Sequence, residues 1–296
     1  MSAAWATAQP AIIRGEEAFQ AARRERRRAT LLAAAVVLVC VVVAAWVSEA
    51  YPARIAAGLP RIAEYFAKIM PDLRWAHLFA STGTEGSIAF WFYRLDDWGL
   101  LLAQTANMAA IATLLGAIMG VPMAFLAARN TAPSRFIFHA SRRFLEALRT
   151  VPDIVYALIF VWAFGVGPLA GVLAIAIHSA GALGKQCAES IENIDNGPRE
   201  GMVAAGANWF EACRFGSLPL SLNQILSFLL LRFEVNLRSA SVIGFVGAGG
   251  IGEELYKVIS FNYYEEISAI ILLVILAVMC IDLLSERLRR RVEGMA

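Results

Sequence analysis

The sequence predicts an all-helical membrane protein with about six transmembrane helices. Apolar residues make up 59% of the 296 positions and charged residues only 17%, whereas about a quarter of a typical soluble domain is charged. The apolar residues are also gathered into runs that are long enough to cross a bilayer, which takes about 20 residues. Because unpaired backbone polar groups are unfavourable in hydrocarbon, these runs are predicted to be helices.

The position of each apolar run defines the predicted spans. The first, residues 29–47, follows an arginine-rich segment, residues 1–28, and is longer than the roughly 7–15-residue core of a secretory signal, so we predict an uncleaved anchor. Residues 152–182 are too many for one helix and are interrupted by Gly165–Pro168, which predicts two helices meeting at a tight turn. The other spans are predicted at about 100–128, 220–246 and 267–284.

Lysine and arginine predict the orientation of these spans, since cytoplasmic connections carry an excess of both. Both ends of the chain, the connection after the second span and the connection after the fourth are basic, whereas residues 48–97 mix both signs and residues 247–266 are acidic. We therefore predict a multi-pass protein of the cell (inner) membrane with both termini in the cytoplasm. The permease-like core is predicted at residues 98–286, followed by a basic cytoplasmic tail at residues 287–296.

The predicted external loop, residues 48–97, contains one helical pattern. Apolar residues between Ile62 and Met70 recur at helical spacing, with charged residues between them. This pattern predicts an amphipathic helix, which either lies on the outer membrane surface or packs against the protein itself.

The long connection at residues 185–219, predicted to be cytoplasmic, carries the strongest local pattern. Gly206 falls inside an amphipathic helical stretch, where glycine costs about 1 kcal/mol relative to alanine. A glycine at this position is explained if a short helix bends sharply there or if another backbone approaches closely. Leu218-Pro219 then begins the next span, because proline is tolerated in a first helical turn. Within this connection, Glu189, Glu192 and Asp195 precede the amphipathic stretch, and their side chains are predicted to be exposed to solvent.

The spacing of Glu200, Gly206 and Leu218-Pro219 resembles the "EAA" loop of binding-protein-dependent ABC importers, with Gly201 and Met202 in place of its two alanines. In that family the loop is a coupling helix that docks on a cytoplasmic ATPase. The resemblance implies an ATPase-coupling role for Glu200, Ala205, Gly206, Ala207, Phe210, Leu218 and Pro219.

Further stretches between residues 100 and 290 resemble the phosphonate importer permeases. They are Gly165–Ala174, Gly206–Asn208, Arg232–Ala240 and Val246–Gly252. The resemblance implies a five-helix-core ABC importer permease fold and import of phosphonate, phosphate or phosphite. It also implies a second copy of the chain, two cytoplasmic ATPase subunits that hold ATP and Mg, an external substrate-binding protein, and no cofactor bound by this chain. A permease for another small solute, or a secondary transporter, is the alternative.

Charged residues in the middle of the fifth span form a candidate site. Each charge at bilayer depth costs about 2.5–3.5 kcal/mol on insertion scales. Glu234 and Arg238 are four residues apart, so an internal ion pair is feasible, while Arg232 and Asn236 share another face of the helix. The pair is interpreted as structural or gating, and Arg232 or Arg238 as a possible contact for a small anionic substrate.

A glycine-rich motif and one histidine complete the candidate pathway or gate. Residues 247–252 match the dinucleotide pattern GxGxxG, but a membrane span precedes them instead of a strand, so nucleotide binding is excluded. A tight turn near an outer gate, or a simple helix end, explains Gly247, Gly249, Gly250 and Gly252 better. His178 is interpreted as either a functional residue or a partner in a helix–helix hydrogen bond.

Other chemistry has little support in the sequence. The four cysteines are scattered and histidines number three, so no metal site is predicted. No phosphate-binding GxxxxGK[ST] motif occurs, so ATP must be hydrolysed by a partner. No catalytic residues are predicted, and nucleic acid is not expected as a partner. A membrane enzyme and a structural membrane protein remain weaker alternatives to a transport subunit in a lipid bilayer.

Overall fold

The computed structural model describes residues 3–293, which are helical with connecting turns and contain no strand. The outermost residues of the predicted segments 1–28 and 287–296 therefore lie outside the described residues. The chain divides into two compact units, residues 1–67 and 68–296.

The first unit contains two helices. Helix α1 (Ala3–Val47) includes the predicted anchor, and its residues 22–47 are long and apolar enough to cross a membrane. Helix α2 (Pro52–Ile69) confirms the helix predicted in the following loop but begins ten residues earlier than the pattern at Ile62. Its apolar residues Ile55, Leu59 and Phe66 are exposed within the described structure.

The second unit contains the remaining helices. In chain order these are α3 (Ile88–Trp91), α4 (Leu95–Ala127), α5 (Arg135–Thr150), α6 (Asp153–Phe164), α7 (Pro168–Glu192), α8 (Gly197–Ala204), α9 (Trp209–Glu211), α10 (Leu218–Ile243), α11 (Gly250–Ser260) and α12 (Tyr264–Glu293). A π-helical segment, Ala212–Ser217, joins α9 to α10. We refer to the end of the unit where α7 ends and α10 begins as the connection end.

The predicted fold class is confirmed, although the third span differs from expectation. Among the described residues, five helices are long and apolar enough to span a membrane, and a sixth span exists if α5 and α6 together form one, with a bend of 80° between them. Helix α6 alone has 12 residues, about 18 Å, which is less than the roughly 30 Å of a bilayer core. The bend occurs because Val151, extended at ψ 125°, precedes Pro152, and proline disfavours a helical conformation in the residue before it.

Small residues allow α4 and α7 to pack closely. A Cβ atom placed on Gly120 would lie 2.6 Å from the Ala180 carbonyl oxygen, and one on Gly116 would lie 2.8 Å from the Ser179 Cβ. Such contacts favour helix association in lipid, where the hydrophobic effect does not drive it. This α4–α7 pair positions the helices and turns that carry the candidate functional residues.

Candidate functional site

The end of α8 explains the glycine of the connection motif. Gly206 has φ 91°, a left-handed conformation that glycine adopts readily. Its N–H donates to the Val203 carbonyl at 3.0 Å, and the Ala207 N–H donates to the Met202 carbonyl at 3.0 Å. This is a Schellman helix end. Because a Cβ on Gly206 would meet nothing within 4 Å, the bend requires the glycine and close approach does not.

The chain then turns back on itself. The Asn208 side chain accepts a hydrogen bond from the Glu211 N–H at 3.0 Å, and the Glu211 carboxylate accepts one from the Asn208 N–H at 2.9 Å, which forms a capping box on α9. Within the π-helical segment, a Cβ on Gly216 would lie 2.7 Å from the Cα of Arg199 in α8. Helix α8 therefore packs directly against the segment that leads into α10.

Most of the predicted coupling residues lie on one exposed helical hairpin, residues 197–217, which we call the coupling segment. Phe210 and Val203 are 60% and 51% exposed. Of the predicted residues, Glu200, Ala205, Gly206, Phe210 and Pro219 are exposed, while Ala207 and Leu218 are half-buried. Exposed apolar residues on an ordered hairpin are typical of a docking surface.

Side chains that the sequence did not single out attach this hairpin to the helices of the second unit. The Trp209 indole N–H donates to the Thr131 carbonyl at 2.6 Å, and the buried Thr131 hydroxyl donates to the Phe125 carbonyl at 2.6 Å. The Asn130 amide donates to the Asn196 side chain at 3.0 Å. The coupling segment is thus fixed to the α4–α5 connection, across about 80 residues of sequence.

Glu192 is not the solvated residue that the sequence predicted. Its carboxylate lies 2.8 Å from Arg142 Nη2 and accepts a hydrogen bond from the Arg129 N–H at 2.7 Å. Arg142 also donates to the Ala127 carbonyl at 3.0 Å. The prediction that Glu192 is exposed to solvent was wrong because its two partners lie 50 to 65 residues away in sequence. They come into contact with Glu192 only in the folded chain.

The glycine-rich motif forms a compact turn at the opposite end of the second unit. Gly247, Gly249 and Gly250 all have positive φ, and the Gly167 N–H donates to the Gly247 carbonyl at 2.9 Å. The Ile251 N–H donates to the Thr105 hydroxyl at 2.9 Å. The predicted tight turn is therefore present, and it contacts both α4 and the turn before α7.

Asn236 lies in the interior of the second unit and is 2% exposed. Its amide nitrogen donates to the Thr113 hydroxyl of α4 at 2.8 Å, and its amide oxygen accepts from the Ser179 hydroxyl of α7 at 2.8 Å. This network joins three helices, so in this structure Asn236 connects helices and does not line an open passage.

The other polar residues of α10 have different surroundings. The predicted ion pair is present, with 2.6 Å between Arg238 Nη2 and Glu234 Oε1. Arg232 has no carboxylate within salt-bridge distance among the described residues, and its nearest polar partner is the Gln186 side-chain oxygen at 3.5 Å. Arg232 and Asn236 thus do not act together, although they share a helix face.

His178 makes one hydrogen-bond contact between elements. Its Nδ1 atom lies 3.2 Å from the Val151 carbonyl oxygen, at the bend between α5 and α6. A protonated Nδ1 would donate to that carbonyl, which belongs to the residue that caps the end of α5, where carbonyls lack an intrahelical partner. The helix–helix interpretation of His178 therefore agrees with the structure.

Comparison with known proteins identifies the family. Residues 120–294 match the family described as binding-protein-dependent transport system inner membrane component. The chain belongs to this family. The phosphite transport system permease protein PtxC of Stutzerimonas stutzeri is 40% identical over 194 residues, which cover 66% of this chain and 70% of that protein.

Other members and a solved structure agree with this assignment. The phosphate-import permease protein PhnE of Mycolicibacterium smegmatis is 34% identical over 251 residues, 84% of this chain and 43% of that protein. The inward-facing MetNI methionine ABC transporter matches with a TM-score of 0.57 and 18% identity over 66% of this chain and 95% of that chain. The fold is thus that of an ABC importer permease, and the chain is a membrane transport component.

The ion pair in α10 of this permease predicts non-additive mutant effects. Glu234→Ala or Arg238→Ala leaves one charge unpaired at bilayer depth, which costs about 2.5–3.5 kcal/mol on insertion scales. The double variant removes both charges, so we expect it to recover part of the stability lost by either single variant. Thermal unfolding of the purified permease in detergent measures all four forms, and purely additive losses would refute a coupled pair.

Proposed function

We propose that this chain is the membrane-spanning subunit of an ATP-driven importer for phosphonate or a related phosphorus oxyanion, phosphate or phosphite. Two copies would form the passage, with two cytoplasmic ATPase subunits and an external substrate-binding protein. This chain binds no cofactor in the proposal, because ATP and Mg are held by the ATPase. The printed functions of the phosphite and phosphate permeases above support the substrate class.

The exposed coupling segment is the observation that carries this proposal. It presents Val203 and Phe210 outward while Trp209 attaches it to the α4–α5 connection. A force applied to the hairpin would therefore reach α4, α5 and α10 together. The surrounding connections are rich in arginine, which supports a cytoplasmic position for this end and for both termini.

The opposite end supports docking of a binding protein outside the cell. Arg94, at the start of α4, lies 2.9 Å from the Glu254 carboxylate of α11 and 4.0 Å from the Glu266 carboxylate of α12. These ion pairs join the start of α4 to α11 and α12 on the proposed docking surface.

Reconstitution tests the proposed function. We expect the permease to co-purify with its ATPase and, in proteoliposomes with the binding protein, to take up phosphite, phosphate or methylphosphonate only when ATP is present. An assembly without the ATPase is the control. Uptake by the permease alone, or no uptake of any phosphorus oxyanion by the full assembly, would refute the proposal.

A further inference from the structure

Arg232 is a half-buried cation that the described residues leave largely unpaired. Its Nε atom is shielded from solvent and has no hydrogen-bond partner in the described residues. Its guanidinium reaches only the Gln186 side-chain oxygen, at 3.5 Å, the limit of a hydrogen bond. Arg238, six residues later on the same helix, has a carboxylate at 2.6 Å. Charged groups with atoms shielded from solvent are normally paired, so the unpartnered Nε atom of Arg232 requires an explanation.

A second arginine, Arg149 at the end of α5, carries a like charge whose field acts against the charge of Arg232. Arg149 also lacks a carboxylate within salt-bridge distance among the residues that the structure describes. Its backbone is held against α7, because a Cβ on Gly181 would lie only 2.8 Å from the Arg149 nitrogen. Arg149 and Arg232 thus lie on two helices that both pack on α7, and two like charges are stabilised if an anion binds between them.

A polar groove begins at Gln186, the hydrogen-bond partner of Arg232. It has a volume of about 570 Å³ and runs between α7 and α10 from Gln186 and Phe228, one helical turn from Arg232, to Asn193 and Leu220 at the connection end. The carboxylate of Glu189 in the groove shares Lys185 with Glu146, since the Lys185 Nζ lies 3.9 Å from Glu189 and 3.7 Å from Glu146. Polar side chains along two apolar helices are disfavoured against lipid, so the groove fits a solvated passage.

We propose that Arg149, Arg232 and Gln186 bind the transported tetrahedral oxyanion on its way to the connection end. Each guanidinium offers planar N–H donors that match phosphoryl oxygens. Gln186 accepts from Arg232 through its oxygen and has an amide N–H₂ left to donate to the same anion. The site rests on the proposed function, and it extends that function by naming the residues of the permease that contact the substrate.

The substitution Gln186→Glu separates a binding role from a structural one. The new carboxylate would pair with Arg232 in place of the anion, so thermal stability should be retained or increased while uptake decreases. Arg232→Gln and Arg149→Gln should also decrease uptake, roughly tenfold or more, because each removes a charge-assisted hydrogen bond to the anion. Arg232→Lys should restore part of the uptake. Arg143→Gln, on the exposed side of α5, is the matched control and should leave uptake unchanged.

The measurements are phosphite and phosphate uptake, ATP hydrolysis and thermal unfolding of the complete assembly in proteoliposomes or detergent. If wild-type uptake is normal and the Gln186→Glu, Arg232→Gln and Arg149→Gln variants retain it, the anion site is refuted while the proposed function stands. Decreased uptake only in variants that have also unfolded would assign a structural role and would likewise refute the site. If the wild-type assembly moves no phosphorus oxyanion, the proposed function itself fails.

Discussion

Replacement of Gly206 by tryptophan is expected to decrease substrate uptake by at least about tenfold while the permease remains inserted and folded, since a misfit at the centre of an interface typically costs 2 kcal/mol or more. A Cβ at this position would meet nothing within 4 Å, so the indole ring would project from the exposed hairpin and not into the core. ATP hydrolysis by the assembled importer would then no longer be coupled to transport. Uptake and ATP hydrolysis measured together on the same proteoliposomes test this expectation.

Two further variants distinguish the effect of side-chain size at residue 206 from the effect of backbone strain there. Gly206 has φ 91°, where an ordinary L-residue loses about 1–2 kcal/mol. Gly206→Asn should be tolerated, because asparagine adopts this conformation more readily than most residues, whereas Gly206→Ala should show the strain alone. Unchanged uptake in Gly206→Trp would count against the coupling segment as the contact with the ATPase.

The spans were predictable because lipid imposes a requirement that each segment meets locally. A run such as residues 100–128 is apolar along its whole length, so α4 could be recognised without its neighbours. The position of Gly206 was also informative, since a glycine inside an amphipathic helical pattern indicates a sharp bend or a close approach, and the structure has the bend. Local rules therefore identified the fold class, whereas the coupling role of residues around Gly206 was implied by the resemblance to the EAA loop.

The contacts between elements were not predictable in the same way. Glu192 faces two arginines from a different connection, and Trp209 donates to a carbonyl 78 residues earlier. Periodicity within one helix gives no information about such partners. The charge pattern of α10 likewise left the roles of Arg232 and Asn236 open, because only the positions of α4 and α7 distinguish a buried network from a groove.

Replacement of Gly252 by alanine is expected to have the largest effect on stability. The start of α11 packs backbone to backbone on the end of α10, so that a Cβ on Gly252 would lie 1.9 Å from the Ser241 carbonyl oxygen and 3.1 Å from the Gly244 Cα. Both contacts are with backbone atoms, which no side-chain rotation relieves. We expect a loss at or above the upper end of the roughly 1–3 kcal/mol typical of overpacked sites.

Gly99→Ala provides the matched control for this change. Gly99 lies in α4, a Cβ there would meet nothing within 4 Å, and alanine is favoured over glycine in helices by about 1 kcal/mol. Thermal unfolding in detergent should therefore show a much lower melting temperature for Gly252→Ala and an unchanged or higher one for Gly99→Ala. The Gly247 carbonyl accepts a hydrogen bond from the Gly167 N–H in the turn before α7. Separation of α10 from α11 should therefore also disrupt that turn and decrease substrate uptake. A wild-type melting temperature for Gly252→Ala would mean that these two helices do not pack as closely as the structure describes.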